Sequence, residues 1–204
     1  LSDDFVLYEM HVYDANKRIR AVVESDPGDI IYLVAKRDPV SRFVSAFNWD
    51  KHNLFLKGTL KNTKWEKYYM RFPTVDSLLS GLLCDDRSDQ TIAEEFSRFG
   101  HMGMGQEWYT PQNVLERLPE DRTYFVDTAS LRHDLLAILN ALGQRMIDLD
   151  WQPPALKSNF GDAYVDHAHL FPTHLSQASR AALLRHIAGD ISIYTQMSNR
   201  TTAT

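Results

Sequence analysis

The chain has 204 residues, of which 44% are hydrophobic and 24% charged, and its formal net charge is −5. Such a length and composition predict one globular domain with a sizeable core over the whole chain. With this acidic balance we do not expect a broad nucleic-acid-binding face, although it leaves room for local basic pockets, and the single cysteine, Cys84, excludes an internal disulfide. No apolar run reaches the roughly 18 residues that a membrane span needs.

Apolar runs and turn signals predict alternating strands and helices in the first part of the chain. A strand over 5–12 precedes a short helix over 15–23, and a strong turn at 25–28 leads to a strand over 30–36. A helix follows that strand, which gives the strand–helix order of a parallel sheet. The polar residues 48–65 predict a surface excursion.

The second part of the chain continues the alternation with one more strand. In order, the pattern predicts a helix capped by Thr74, an irregular glycine-rich segment over 96–110, a strand over 123–127, an amphipathic helix beginning after Ser130, a long loop over 151–173, and a last helix from Ser176 to about Met197.

The segment from Arg37 to Phe47 is the most informative in the chain. Pro39 suits the first turn of a helix, and Asp38 suits the N-cap before it. The guanidinium of Arg37 then lies at the carboxyl end of a buried strand, where ligands bind in open α/β sheets. With the hydroxyl of Ser45, it suits a phosphate monoester. The alternative is that Arg37 pairs with a neighbouring acid and Ser45 fills a helix interior.

Residues 37–47, RDPVSRFVSAF, resemble the 3′-phosphate-binding motif of sulfotransferases that use 3′-phosphoadenosine 5′-phosphosulfate (PAPS). The closest likeness is to the carbohydrate type, the heparan and chondroitin 2-O-sulfotransferases and their bacterial relatives. The resemblance implies that Arg37 and Ser45 bind the 3′-phosphate, and that His11 in the segment YEMHV is the catalytic base. The implied fold is α/β, a three-layer P-loop-nucleoside-kinase-like sandwich with a central parallel sheet.

The resemblance is looser in the rest of the chain. It places Lys157 in a basic loop that closes over the nucleotide, and Tyr194 of the last helix fits the family's ending. We expect His101, Trp108 and Tyr109 to line the acceptor groove, because aromatic faces suit sugar rings. The alternatives are that Lys157 is an ordinary exposed lysine and that the two aromatic side chains belong to the core.

One family element is missing from the sequence. Sulfotransferases carry a glycine- and threonine-rich loop with a lysine, whose N–H groups hold the 5′-phosphosulfate. It should precede His11, yet the ten residues before His11 contain neither glycine nor lysine. Either the sequence begins after this loop, which is our expectation, or the protein lacks it. The domain over 1–204 is thus expected to lack its first strand and its 5′-phosphosulfate loop.

These features together predict a sulfotransferase that moves a sulfuryl group from PAPS to a hydroxyl by in-line transfer with a histidine base and no metal. The expected acceptor is a glycan or glycoconjugate rather than nucleic acid. The expected compartment is the cytoplasm, or the Golgi lumen if an upstream segment carries an anchor.

Two other functions stay open. One is a binding-only module of the same fold, which holds a nucleotide or a glycan without transferring sulfate. The other is a metal-dependent hydrolase built on a cluster of histidines and aspartates, although the spacing of that cluster matches no established metal site. Its members are Asp162, Asp166, His167, His169 and His174.

Overall fold

The computed structural model describes residues 15–26, 28–143 and 171–201. The elements are α1 (Ala15–Glu24), β1 (Tyr32–Lys36), α2 (Pro39–Asp50), a π-helix (Lys51–Leu56), α3 (Lys64–Arg71), α4 (Val75–Gly81), α5 (Arg87–Ser97), a 3₁₀ turn (Gly100–Met102), α6 (Gln106–Tyr109), α7 (Gln112–Leu115), a 3₁₀ turn (Glu120–Arg122), β2 (Thr123–Asp127), α8 (Leu131–Ala141), α9 (Gln177–His186) and α10 (Ala188–Thr201). The fold is α/β and mostly helical. Within these described ranges, no helix combines the length and the hydropathy that crossing a membrane requires.

The two described strands form a parallel pair, as the strand–helix order predicts. Their register places Lys36 opposite Asp127 at the carboxyl end. The carbonyl of Lys36 accepts a hydrogen bond from the N–H of Thr128 (2.9 Å), so the carbonyl of Ala35 points to the other edge of β1. There it accepts a hydrogen bond from the side-chain amide of Gln106 (3.2 Å). The strand predicted over 5–12 lies outside the described residues.

Helix α2 is buried in an aromatic cluster, and this fixes the position of the candidate site. Phe43 and Phe47 are fully buried on α2. Phe96 of α5 packs edge-on against Phe47 and Tyr69, with ring centroids 6.0 and 4.7 Å away. Edge-to-face pairs of this kind add to the gain from burying the rings. A second, smaller core lies between the sheet and α10 and contains Tyr32, Leu115, Phe125, Ile193 and Met197.

Two predicted helix starts are confirmed. The carboxylate of Asp38 accepts hydrogen bonds from the N–H (2.7 Å) and the hydroxyl (2.6 Å) of Ser41, with Pro39 in the first turn of α2. Thr74 and Ser77 form a reciprocal capping box at the start of α4. Local residue chemistry is sufficient to define the first residues of both helices.

The predicted surface excursion over 48–65 is wrong at its beginning. Helix α2 continues to Asp50, and a π-helix follows directly. Lys51 is only 6% exposed, and its ammonium donates a hydrogen bond to the carbonyl of Pro73 (2.6 Å). Burial lowers the pKa of Lys51. Phe55 stacks on Tyr69 with the ring centroids 5.6 Å apart, so this polar-looking segment contributes to the core.

The predicted last helix is two helices. Ser176 caps α9 as expected, because its hydroxyl accepts a hydrogen bond from the N–H of Ser179 (3.2 Å). The chain then leaves helical geometry at Ile187, with φ −104° and ψ 28°. This break allows Leu183 of α9 to pack in the core around α2, while Met197 of α10 packs beneath the sheet.

A partly exposed ion pair joins the turns that precede the two strands. Two guanidinium nitrogens of Arg122 contact the two carboxylate oxygens of Asp26 at 3.2 and 2.9 Å, and Arg122 also donates to the carbonyl of Ile30 (3.0 Å). The hydrogen bond from Arg122, and next the N–H of Gly28, hold the pKa of Asp26 below its ordinary value of 3.8. The pair therefore aligns the beginnings of β1 and β2.

Asp26→Asn is expected to lower stability at neutral pH. Because the folded protein lowers the pKa of Asp26, its contribution is present above the unfolded pKa and is lost as pH falls through the lowered folded value. Urea unfolding of both proteins from pH 7 to about pH 3 should give a difference that is constant above roughly pH 5 and shrinks below pH 4. Asp121→Asn removes an exposed neighbour of the same arginine and serves as the control. A difference that persists unchanged at the lowest pH would contradict the prediction.

Candidate functional site

Side chains of helix α10 contact the carboxyl ends of both strands. The ammonium of Lys36 lies 3.1 Å from the hydroxyl of Ser198 and 5.6 Å from the ring centre of Tyr194. The hydroxyl of Tyr194 donates to a carboxylate oxygen of Asp127 (3.3 Å). Burial first, and then the negative charge of Asp127 with a smaller effect of Asp38, raise the pKa of Tyr194. Tyr194 thus lies beside both strand ends.

Arg37 and Ser45, the predicted phosphate-binding pair, follow β1 directly. Both residues are half-buried. Ser45 lies six residues beyond Pro39, about 9 Å along the axis of α2. Across the described parts of the chain, neither side chain forms a hydrogen bond or an ion pair with another residue. One carboxylate oxygen of the neighbouring Asp38 accepts both hydrogen bonds from Ser41, and among the described residues Arg37 and Asp38 form no ion pair.

Arg42, five residues after Arg37, binds the protein through both terminal nitrogens of its guanidinium, while its buried Nε has no hydrogen-bond partner among the described residues. Its guanidinium donates to the carbonyls of His101 (2.9 Å), Met104 (3.1 Å) and Met102 (3.2 Å). It also pairs with the carboxylate of Asp190 at 3.2 Å, and the two side chains are 13% and 10% exposed. Burial lowers the pKa of Arg42, and the negative charge of Asp190 opposes this shift. Of the two arginines in the motif, Arg42 is therefore held by groups of the protein, whereas Arg37 has no such partner among the described residues.

Asp190 joins α10 to the segment that carries the predicted acceptor residues. Its second carboxylate oxygen accepts a hydrogen bond from the N–H of Glu107 (2.8 Å) at the start of α6. A Cβ atom at position 105 would overlap this carboxylate, so the close approach requires Gly105. The aromatic residues of α6 are therefore held at a fixed position relative to α2.

Trp108 and Tyr109 pack against each other, with ring centroids 4.8 Å apart and planes at 85°. Both are half-buried, so they belong neither fully to the core nor fully to the surface. Burial raises the pKa of Tyr109, and the charge of Arg42 opposes that rise. The charge of Arg37 in turn contributes to lowering the pKa of Arg42. These effects put Arg37, Arg42 and Tyr109 in one neighbourhood.

The third predicted acceptor residue, His101, lies on the 3₁₀ turn beside α2. Its side chain is 52% exposed, and its carbonyl is one of those bound by Arg42. One ring nitrogen contacts the carboxylate of Asp50, a residue that the sequence pattern assigns to the surface and that is fully buried here.

Other predicted site residues lie outside the described part of the chain. These are the proposed base His11, the loop residue Lys157, and four members of the histidine–aspartate cluster: Asp162, Asp166, His167 and His169. His174, the fifth member, is described and exposed. Within 15–26, 28–143 and 171–201, no three histidine, cysteine or acidic side chains come together as a metal site would need.

Three residues of this region have no predicted role from the sequence. Lys36 carries a visible signal, since it is a charge at the end of an apolar strand. Arg42 lies inside the motif, but its spacing does not reveal that its terminal nitrogens donate to three backbone carbonyls. Asp190 lies 148 residues from Arg42 and gives no local signal of their contact.

No protein-family model matches this chain. Neither a curated protein nor a solved structure matches it. The candidate site is therefore defined by the residues of this chain and by their contacts.

Asp190→Ala is expected to destabilise the protein by about 3–5 kcal/mol, because it leaves the buried guanidinium of Arg42 without its counter-charge. Urea unfolding measures the loss. Glu24→Ala removes the carboxylate of an exposed arginine pair, Arg117–Glu24, and should change stability by about 0.5 kcal/mol or less. If both substitutions lowered the free energy of unfolding equally, Asp190 would contribute no more to stability than an exposed carboxylate.

Proposed function

We propose that this chain is a sulfotransferase that moves a sulfuryl group from PAPS to a hydroxyl, and that the acceptor is a carbohydrate. One observation carries the proposal. At the carboxyl end of β1, Arg37 has no hydrogen-bonding or ionic partner among the described residues, whereas both terminal nitrogens of nearby Arg42 bind groups of the protein. An arginine fork at this end of a parallel strand is suited to a phosphate, and Ser45 on α2 adds a hydroxyl.

The three-layer P-loop-nucleoside-kinase-like sandwich is part of the proposal. It is supported by the parallel register of β1 and β2, by helix α2 following β1 directly, and by α10 packing beneath the sheet. The ligand-facing residues also follow the strands at their carboxyl ends, which is the arrangement that open α/β sheets use for nucleotides.

Sulfuryl transfer requires the protein mainly to position the reactants and to supply positive charge. In the proposed roles, Arg37 and Ser45 hold the 3′-phosphate of PAPS, and Lys157 adds a second cation. PAPS supplies the activated sulfuryl group. By analogy with phosphoryl transfer, in-line alignment and cations then lower the barrier. The acceptor hydroxyl loses its proton to a histidine, a role that the family resemblance gives to His11.

The acceptor is proposed to contact the surface of α6. Trp108 and Tyr109 are half-exposed aromatic rings beside Arg42, and such rings offer apolar faces with polar edges. The hydrogen bonds of Asp190 and Arg42 fix this surface before a ligand arrives, which lowers the entropic cost of binding.

Two measurements on the chain test the proposal. Isothermal titration with adenosine 3′,5′-bisphosphate should show saturable binding, and radiolabelled PAPS should transfer its label to at least one member of a glycan panel. Binding without transfer to any acceptor would favour the binding-only module. Absence of both binding and transfer would overturn the proposed function.

Arg37→Ala is expected to weaken bisphosphate binding by about 1.5–3 kcal/mol, roughly 10- to 150-fold, because a charged phosphate loses a bidentate partner. Ser45→Ala should cost about 1 kcal/mol. Titration calorimetry gives both numbers.

The matched control is Arg87→Ala, which removes an exposed arginine at the start of α5 and should leave affinity unchanged. If Arg87→Ala weakened binding as much as Arg37→Ala, the bisphosphate would be held by unspecific charge attraction. The assignment of Arg37 would then be wrong.

A further inference from the structure

The ammonium of Lys36 is largely buried and has few groups to bind. Lys36 is the last residue of β1 and is only 8% exposed. Its Nζ donates one hydrogen bond, to the hydroxyl of Ser198 (3.1 Å), and lies 5.6 Å from the ring centre of Tyr194. Across 15–26, 28–143 and 171–201, no carboxylate forms an ion pair with it. Because an ammonium has three donors, most of its binding capacity is unused by these parts of the chain.

The acid opposite Lys36 in the sheet, Asp127, has other partners. It ends β2 in register with Lys36. One of its carboxylate oxygens accepts a hydrogen bond from the N–H of Ala129 (2.9 Å), and the other accepts one from the hydroxyl of Tyr194 (3.3 Å). Asp127 therefore joins the end of its own strand to α10, and it does not form an ion pair with Lys36.

An ammonium at this position is unfavourable for the fold alone. Burying a charge lowers stability unless the charge is paired and hydrogen-bonded, and an apolar side chain of similar length would pack there without that cost. The hydroxyl of Ser198 and the ring of Tyr194 compensate for only part of it. An anionic ligand would supply the missing counter-charge, and the carboxyl end of a parallel strand is where ligands bind in open α/β sheets.

Lys36 and Arg37 are consecutive cations, and neither has an ionic partner among the described residues. Consecutive side chains along a strand project to opposite sides, so the two cations are suited to two separate anionic groups. Arg37 and Ser45 are assigned to the 3′-phosphate of PAPS. The donor has a second anionic group, the phosphosulfate on its 5′-carbon, to which none of the described residues is yet assigned.

We propose that Lys36 binds the 5′-phosphate of the sulfate donor and that Ser198 positions its ammonium. The proposal rests on the proposed sulfotransferase function and adds a second anion subsite at the same strand end. Lysine carries its charge on a flexible four-carbon stem, so the ammonium can move from the hydroxyl of Ser198 to a phosphate oxygen.

A cation at the 5′-phosphate also serves the transfer step. The acceptor oxygen bonds to sulfur while its proton passes to the histidine base. The bond from sulfur to the 5′-phosphate oxygen breaks, and its electron pair stays on that oxygen. Negative charge thus develops next to the ammonium of Lys36, which stabilises it.

The test compares two nucleotides that differ only in the 5′-phosphate, adenosine 3′,5′-bisphosphate and adenosine 3′-monophosphate. Lys36→Met keeps the length of the side chain and removes its charge. It should weaken binding of the bisphosphate roughly 10- to 100-fold, because a phosphate loses a charged donor, and leave affinity for the monophosphate within about twofold. Arg37→Ala should weaken binding of both nucleotides. Titration calorimetry, with competition against the bisphosphate for the weaker ligand, gives the affinities.

Ser198→Asp tests the same ammonium without removing it. A carboxylate at this half-buried position of α10 would pair with Lys36 and repel the 5′-phosphate, so it should produce the same difference between the two nucleotides. If Lys36→Met does not fold, Ser198→Asp decides. The matched control is Lys61→Met, which removes an exposed lysine and should change neither affinity.

The outcomes distinguish this subsite from the proposed function. If Lys36→Met and Ser198→Asp leave bisphosphate affinity unchanged while Arg37→Ala weakens it, the subsite is wrong and the sulfotransferase proposal is unaffected. If the two variants weaken binding of both nucleotides equally, Lys36 does not contact the 5′-phosphate, and its assignment is overturned. A chain that neither binds the bisphosphate nor transfers sulfate would overturn both proposals.

Discussion

The buried contact between Arg42 and Asp190 is the interaction on which the rest of this region depends. A guanidinium of low exposure needs acceptors for its donors and a balancing charge, and here three carbonyls and one carboxylate bind both terminal nitrogens, although Nε has no hydrogen-bond partner among the described residues. The same contact joins α2, the turn that carries His101 and the beginning of α10. The planar fork of arginine can reach four acceptors at once, which a lysine ammonium cannot.

Helix α2 carries different contacts at its two ends. Its first turn, capped by Asp38, follows the strand end where Arg37 lies. Its last residue, Asp50, holds the imidazole of His101. Between them, Phe43 and Phe47 bury the helix in the core. One rigid element thus keeps the strand end and the turn over Gly100–Met102 at fixed positions relative to each other.

Features that depend on residues close together in the sequence could be predicted. The parallel strands, the cap at Asp38 and the capping box at Thr74 follow from local chemistry and short-range pattern. Long-range burial could not be predicted, because no local signal shows that Lys51 finds a carbonyl inside the protein or that Arg42 meets a carboxylate 148 residues away. Of the predicted site, Arg37, Ser45 and the α6 aromatics have a described environment, whereas His11 and Lys157 lie outside the described residues.

The amide of Gln106 has a consequence for the edge of the sheet. By donating to the carbonyl of Ala35, it occupies an acceptor that another strand would otherwise use. A strand added beside β1 on that side must therefore stop short of Ala35, which leaves a notch at the carboxyl end.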